Sequence, residues 1–94
     1  MKVPDFFKST QAMLLQAFPD GIDEESYWVL LYLLYDYMAD ENLALVMSSF
    51  VKKTLGMIEN DIYKACDLKF DENVIQQVKC RLNTYGFEEW KNEE

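Results

Sequence analysis

The sequence lacks histidine and contains only two cysteines, three glycines and two prolines in 94 residues. Without histidine there is no Ser-His or Cys-His pair, and the commonest general base and transition-metal ligand is missing. Cys66 and Cys80 form no CxxC pair and are too few for a disulfide framework or a zinc site. We expect both thiols to be reduced, with Cys66 in the core and Cys80 exposed. We therefore expect no catalytic residue, no cofactor-binding residue and no metal site.

Basic residues are also scarce, because nine Lys and Arg face 17 Asp and Glu and leave a net charge of -8. Nucleic-acid backbones are bound by clustered cations, so this balance disfavours DNA and RNA as partners. The longest apolar run extends from Tyr27 to Met38 and is interrupted by Asp36. It is shorter than the roughly 18 to 20 residues of a membrane-spanning helix, so we expect no membrane association. The first residues contain no apolar signal region, which makes the cytoplasm the expected compartment.

Apolar residues recur at helical spacing through almost the whole chain. Half of the residues are hydrophobic, which is enough to build a core in one small domain. The pattern predicts an all-α fold, a compact bundle of four to five helices. The predicted helices cover roughly residues 4–18, 23–39, 40–55, 60–68 and 71–85.

Capping residues set the predicted helix ends. Asp23, Asp40 and Asp71 are the expected N-caps, and Gly56 and Gly86 are expected to end the third and fifth helices. Residues 1–87 are predicted to form one helical domain. Residues 88–94 are predicted to form a frayed acidic tail, although we expect Trp90 to pack back beside Phe87.

Several short motifs follow one another in a fixed order. They are Phe-Pro-Asp-Gly-Ile at 18–22, Tyr27, Leu30-Leu31, Leu33-Leu34, an amphipathic stretch at 43–52, Asp61-Ile62, a helix at 71–82 and Tyr85-Gly86-Phe87. Over roughly residues 18–87 the chain resembles a family of small all-helical bacterial proteins of unknown function, best known from actinobacteria. The resemblance implies a compact helical bundle and no established activity. The chain departs from that family in the Tyr-Asp-Tyr at 35–37, which replaces a typically basic stretch, and in a shorter connection between Asp61 and Asp71.

Four carboxylates surround the predicted turn between the first two helices: Asp20, Asp23, Glu24 and Glu25. Carboxylates that act as acids and bases need burial or close pairing to shift their pKa values. A turn and a helix start instead favour capping and solvation, which is our interpretation of this cluster. A carboxylate-based enzyme or a Mg²⁺ site is the alternative.

The second helix is apolar nearly all round, whereas a helix covered on one side buries a stripe of only about 100°. One stripe is the expected core side: Tyr27, Leu30, Leu31, Leu34 and Met38. Trp28, Tyr32 and Tyr35 form a second, aromatic stripe beside Asp36. Either this helix is central and covered on both sides, or part of the aromatic stripe is exposed as a binding surface.

An exposed aromatic stripe would suit a basic protein partner, because residues 9–51 contain seven acids and no Lys or Arg. We predict a non-catalytic protein-binding module that sequesters a basic protein partner, for example an immunity-type or antitoxin-type protein. The candidate partner-binding residues are Trp28, Tyr32, Tyr35, Asp36, Asp40 and Glu41. The alternative is a structural homodimer or a small subunit of a cytosolic complex.

Overall fold

The computed structural model describes residues 5–91, which form helices and no strand, and so confirms the predicted all-α class. The helices are α1 (Asp5–Ala17), α2 (Glu24–Leu34), α3 (Asp40–Met47), α4 (Leu55–Asp67), α5 (Glu72–Thr84) and α6 (Phe87–Lys91). α2 packs against α4 and α5, α3 packs against α4, and α1 packs against α3, α5 and α6. Within residues 5–91 no helix has the length and apolar character needed to cross a membrane.

Side chains cap the start of three helices. The side-chain oxygens of Asp23, Thr54 and Asp71 accept hydrogen bonds from backbone amides two or three residues further along, at 3.4, 3.2 and 2.8 Å. These amides belong to the first helical turn and have no partner within the helix. The caps predicted at Asp23 and Asp71 are therefore confirmed.

The third helix is shorter than we predicted. α3 ends at Met47, and a new helix, α4, begins at Leu55 behind the Thr54 cap. Gly56 therefore lies in the first turn of α4 and does not end a helix, and α4 begins earlier than the predicted residue 60. Ala39, not Asp40, is the N-cap of α3, and its side chain forms no capping hydrogen bond.

The change of direction after Met47 has a physical reason. It allows the apolar face of α4 to pack against both α2 and α3, where Ile58, Ile62 and Ala65 are buried. A single continuous helix over residues 40–55 would have carried this segment away from α2. Burial of the α4 face therefore outweighs continuation of the α3 pattern.

Substitution of Gly56 tests whether this residue lies within α4 or ends a helix. A Cβ at Gly56 would meet no atom within 4 Å, and the positive φ values among the glycines belong to Gly21 and Gly86. We expect Gly56→Ala to raise the free energy of unfolding by about 0.5 kcal/mol, because alanine loses less conformational freedom in a helix. Urea denaturation measures this change. Gly86→Ala, at φ 92°, is the control and should destabilise; destabilisation by Gly56→Ala as well would restore Gly56 as a helix-ending residue.

The chain end after Gly86 differs from the predicted tail. Residues 88–91 continue α6, and Trp90 is 3% exposed. Its ring stacks on Phe87 with centroids 5.7 Å apart, and its Nε1 donates to Thr10 Oγ1 at 2.7 Å. The predicted packing of Trp90 beside Phe87 is confirmed, and residues 88–91 are helical rather than frayed. Residues 92–94 lie outside the described range.

Candidate functional site

The core side of α2 is as predicted. The side chains of this stripe are all buried: Tyr27, Leu30, Leu31, Leu34 and Met38. The aromatic stripe is partly accessible, with Tyr32 exposed and Trp28 and Tyr35 half-buried. α4 and α5 therefore cover α2 incompletely. One face of α2 is buried in the core, as expected for a central helix, and part of its aromatic stripe is exposed.

Trp28 is held by contacts within the chain. Its Nε1 donates to Glu24 Oε1 at 3.0 Å, and the ammonium of Lys53 lies 5.5 Å from the centroid of its ring system. The ring also meets Tyr27 edge to face, with centroids 5.5 Å apart. Trp28 is therefore held by these contacts, one helical turn before Tyr32 on the same face of α2.

Tyr32 lies further along α2, Tyr35 is the residue directly after α2, and the two reach two other parts of the fold. Tyr32 is 36% exposed, and its ring centroid is 5.3 Å from that of Phe70, which follows α4. The nearby charge of Asp36 is the main cause that raises the pKa of Tyr35, and the neighbouring Cys66 of α4, whose thiol donates to the Ile62 carbonyl at 3.3 Å, adds to this effect. Both contacts extend the exposed stripe beyond α2.

Tyr63 adds a further ring to this region. It is 63% exposed, and the neighbouring Asp40 carboxylate raises the pKa of Tyr63. Tyr63 and Cys66 are three residues apart on α4, so they share one face of that helix. The rings and carboxylates together form what we call the aromatic–acidic surface: Tyr32, Tyr35, Tyr63, Phe70, Asp36 and Asp40.

The structure thus brings together four of the predicted residues and adds two that we did not predict. Tyr63 lies on α4 and Phe70 lies between α4 and α5. No spacing in the sequence links either residue to α2. Glu41 is exposed in the first turn of α3, next to Asp40. Cys66 is exposed, so its predicted place in the core is wrong, whereas the exposure predicted for Cys80 is confirmed; both thiols are free.

A groove of about 300 Å³ continues from the aromatic–acidic surface between α2, α5 and α6. Tyr32, Tyr35 and Asp36 line it from α2 and the turn that follows. The remaining lining residues are Leu33, Tyr37, Lys79, Asn83, Phe87, Glu88 and Lys91. Two carboxylates and two ammonium groups therefore face the same space.

Lys91 occupies one corner of this groove. Its Nζ is 3.0 Å from Glu88 Oε2, 5.2 Å from the ring centroid of Phe87 and 5.9 Å from that of Tyr37. The hydrogen bond to Glu88 is the main cause that raises the pKa of Lys91. This corner holds a cation beside two rings and a carboxylate, and both kinds of group attract positive charge.

A second polar cluster is buried and structural. The Tyr27 hydroxyl donates to Asp61 Oδ2 at 2.7 Å, and Lys53 Nζ donates to the same oxygen at 2.9 Å. The Lys53 ammonium also lies 4.5 Å from the Tyr27 ring centroid. Burial, followed by the Asp61 hydrogen bond, raises the pKa of Tyr27 far above its usual value. The cluster fixes the segment before α4 to both α2 and α4.

Two of the four carboxylates around the first turn, Asp23 and Glu24, make local contacts. The hydrogen bond from Ser26 is the main cause that lowers the pKa of Asp23, the N-cap of α2, and Glu24 accepts from Trp28. Across residues 5–91 no three Cys, Asp or Glu side chains are grouped so that they could hold a metal ion. These contacts agree with capping and give no geometric support for a Mg²⁺ site.

Comparison of the chain with protein-family models, curated proteins and solved structures gave no significant match. The resemblance to the small helical bacterial family therefore stays a prediction.

Proposed function

We propose that this chain is a non-catalytic protein-binding module that sequesters a basic protein partner, in the manner of an immunity-type or antitoxin-type protein. The observation that carries the proposal is the aromatic–acidic surface, where exposed tyrosine rings lie beside carboxylates. Tyr63, 63% exposed, is its most accessible ring.

Tyrosine rings and carboxylates make complementary contributions to such a contact. A tyrosine buries a large apolar area, its hydroxyl tolerates water, and its ring face attracts Lys and Arg. Carboxylates at the edge of an interface mainly steer a basic partner and raise its association rate. The net charge of -8 means that the molecule as a whole also attracts a basic partner.

Charge also argues against the homodimer alternative. In a two-fold dimer the same patch meets itself. If two copies paired through the aromatic–acidic surface, Asp36 and Asp40 of one copy would approach the same residues of the other. Like charges brought together at an interface are costly, so a partner of opposite charge fits this surface better.

The proposal predicts that single changes in this surface weaken partner capture. In affinity capture from the native organism's lysate, we expect Tyr63→Ala to reduce the capture of a basic protein about tenfold, as for a contact residue of moderate importance. Because the Tyr63 ring is exposed, the free energy of unfolding should change by only about 0.5 kcal/mol. Asp36→Asn should slow association, and about 0.5 M salt should weaken capture by the unchanged chain.

Glu25→Gln is the matched control for Asp36→Asn, because it removes the same charge from an exposed acid at the other end of α2. It should leave most of the capture intact. Equal capture by the unchanged chain, Tyr63→Ala and Asp36→Asn would contradict the proposal. Recovery of the bait alone, as a dimer that forms with increasing concentration, would favour the homodimer.

A further inference from the structure

The groove beside the aromatic–acidic surface already holds a cation of the chain itself. The Lys91 ammonium lies beside the rings of Phe87 and Tyr37, 5.2 and 5.9 Å from their centroids, and 3.0 Å from the Glu88 carboxylate. Ring faces next to a carboxylate attract an ammonium or guanidinium group from either the same chain or another one. The corner is therefore suited to cations by its chemistry.

We propose that this corner of the groove is the binding site for an arginine or lysine side chain of the partner, and that Lys91 occupies it until the partner binds. The inference rests on the proposed function, since it names the chemistry by which the same partner is recognised. Tyr32, Tyr35 and Asp36 belong to both the aromatic–acidic surface and the groove lining. A partner that covers the surface would thus place its side chains at the mouth of the groove.

Lys91 is held weakly enough to be displaced. Its ion pair with Glu88 joins residues three apart on a short helix, and the side chains of Glu88 and Lys91 are 64% and 26% exposed, so water reaches both partners. Exposed pairs of this kind contribute little, because water and salt screen them. The long lysine side chain can therefore move into solvent without breaking the fold.

Lys91 competes with a cation of the partner for the carboxylates of the groove. With Lys91 in place, Asp36 and Glu88 are balanced by Lys79 and Lys91, so an added cation gains little. Without Lys91, the groove lining keeps two carboxylates and one ammonium, that of Lys79. The incoming cation and Lys91 therefore exclude each other, and removal of Lys91 should favour binding.

The test uses a capped Gly-Arg-Gly peptide and its citrulline counterpart, which has nearly the same shape but no charge. NMR titration follows the side-chain amide of Asn83, which lines the groove. We expect the Lys91→Met variant to bind the arginine peptide about three- to tenfold more tightly than the unchanged chain does. The citrulline peptide should bind more weakly than the arginine peptide to both proteins.

Further variants assign the binding to this corner. Adding Glu88→Gln or Asp36→Asn to Lys91→Met should remove most of the gain, whereas adding Glu25→Gln should keep it. Equal or weaker arginine binding by Lys91→Met would overturn the inference. So would binding of inorganic phosphate that shifts the Asn83 amide and is lost in Lys91→Met, because the groove would then be an anion site.

The inference and the proposed function fail in different experiments. If Tyr63→Ala abolishes partner capture but Lys91→Met does not tighten peptide binding, the inference falls and the proposed function stands. If Lys91→Met tightens peptide binding but neither Tyr63→Ala nor Asp36→Asn changes partner capture, the cation site is supported and the proposed function is contradicted.

Discussion

Replacing Asp61 with alanine is expected to lower the free energy of unfolding by about 2 to 3 kcal/mol. Asp61 Oδ2 accepts hydrogen bonds from both the Tyr27 hydroxyl and the Lys53 ammonium. Without the carboxylate, the hydroxyl of a tyrosine that is 1% exposed loses its acceptor, and Lys53 loses its ion-pair partner. Lys53 keeps some contact with water, so the loss is smaller than for a fully buried pair. Urea denaturation monitored by far-UV circular dichroism measures the effect.

Two substitutions serve as controls for Asp61→Ala. Asp61→Asn keeps an oxygen acceptor for Tyr27 and removes only the charge, so we expect about half of the destabilisation. Glu72→Ala removes an exposed carboxylate that accepts from Gln76 at 3.1 Å, and it should cost only about 0.5 kcal/mol. An Asp61→Ala effect as small as that of Glu72→Ala would show that the buried cluster adds little to stability.

Replacing Trp90 with alanine is expected to have the largest effect on stability, about 3 to 4 kcal/mol. The indole is 3% exposed, stacks on Phe87, contacts the Tyr37 ring and donates to Thr10. Its removal opens a cavity between α1 and α6 and breaks the hydrogen bond that joins the two ends of the described chain. Urea denaturation, with circular dichroism of the native variant, measures the change.

Trp90→Phe separates packing from hydrogen bonding. A phenylalanine keeps a ring against Phe87 but has no indole N–H, so we expect a smaller loss of about 1 to 2 kcal/mol. An unchanged urea midpoint for Trp90→Ala, with only a small loss of helical signal, would mean that α6 unfolds separately from the bundle. That result would contradict the role we assign to α6.

The buried side of α2 could be predicted from the sequence because it depends on one helix alone. Residues spaced by three or four positions lie on one face of any helix, whatever packs against it. Leu30, Leu31 and Leu34 therefore identify the core side of α2 without knowledge of the fold. The caps at Asp23 and Asp71 are equally local, since each accepts from an amide a few residues away.

The boundary between α3 and α4 could not be predicted, because two local signals compete there. Gly56 is typical of a helix end, and Thr54 is equally typical of a helix start. The choice depends on whether α4 can bury its apolar face against both α2 and α3. That packing involves residues far apart in the sequence, so the turn before α4 becomes clear only in the folded chain.

The candidate site was partly predictable for the same reason. Tyr32, Tyr35 and Asp36 lie close together because they are neighbours along α2 and its end. Tyr63 and Phe70 join them only through the packing of α4, for which the sequence gives no signal. Trp28 is half-buried and stays a predicted site residue; its hydrogen bond to Glu24, four residues earlier, is a local contact that helical spacing allows.

Site-specific photo-crosslinking tests most directly whether the aromatic–acidic surface binds the partner. A photoreactive phenylalanine analogue replaces Tyr63 in one variant and Leu15 in a second, matched variant; Leu15 is 55% exposed on α1, outside this surface. Both variants are produced in the native organism and irradiated. Our account predicts a crosslink from position 63 to one basic protein and none to that protein from position 15. A crosslink from position 15 alone, or from position 63 to a second copy of this chain alone, would contradict it.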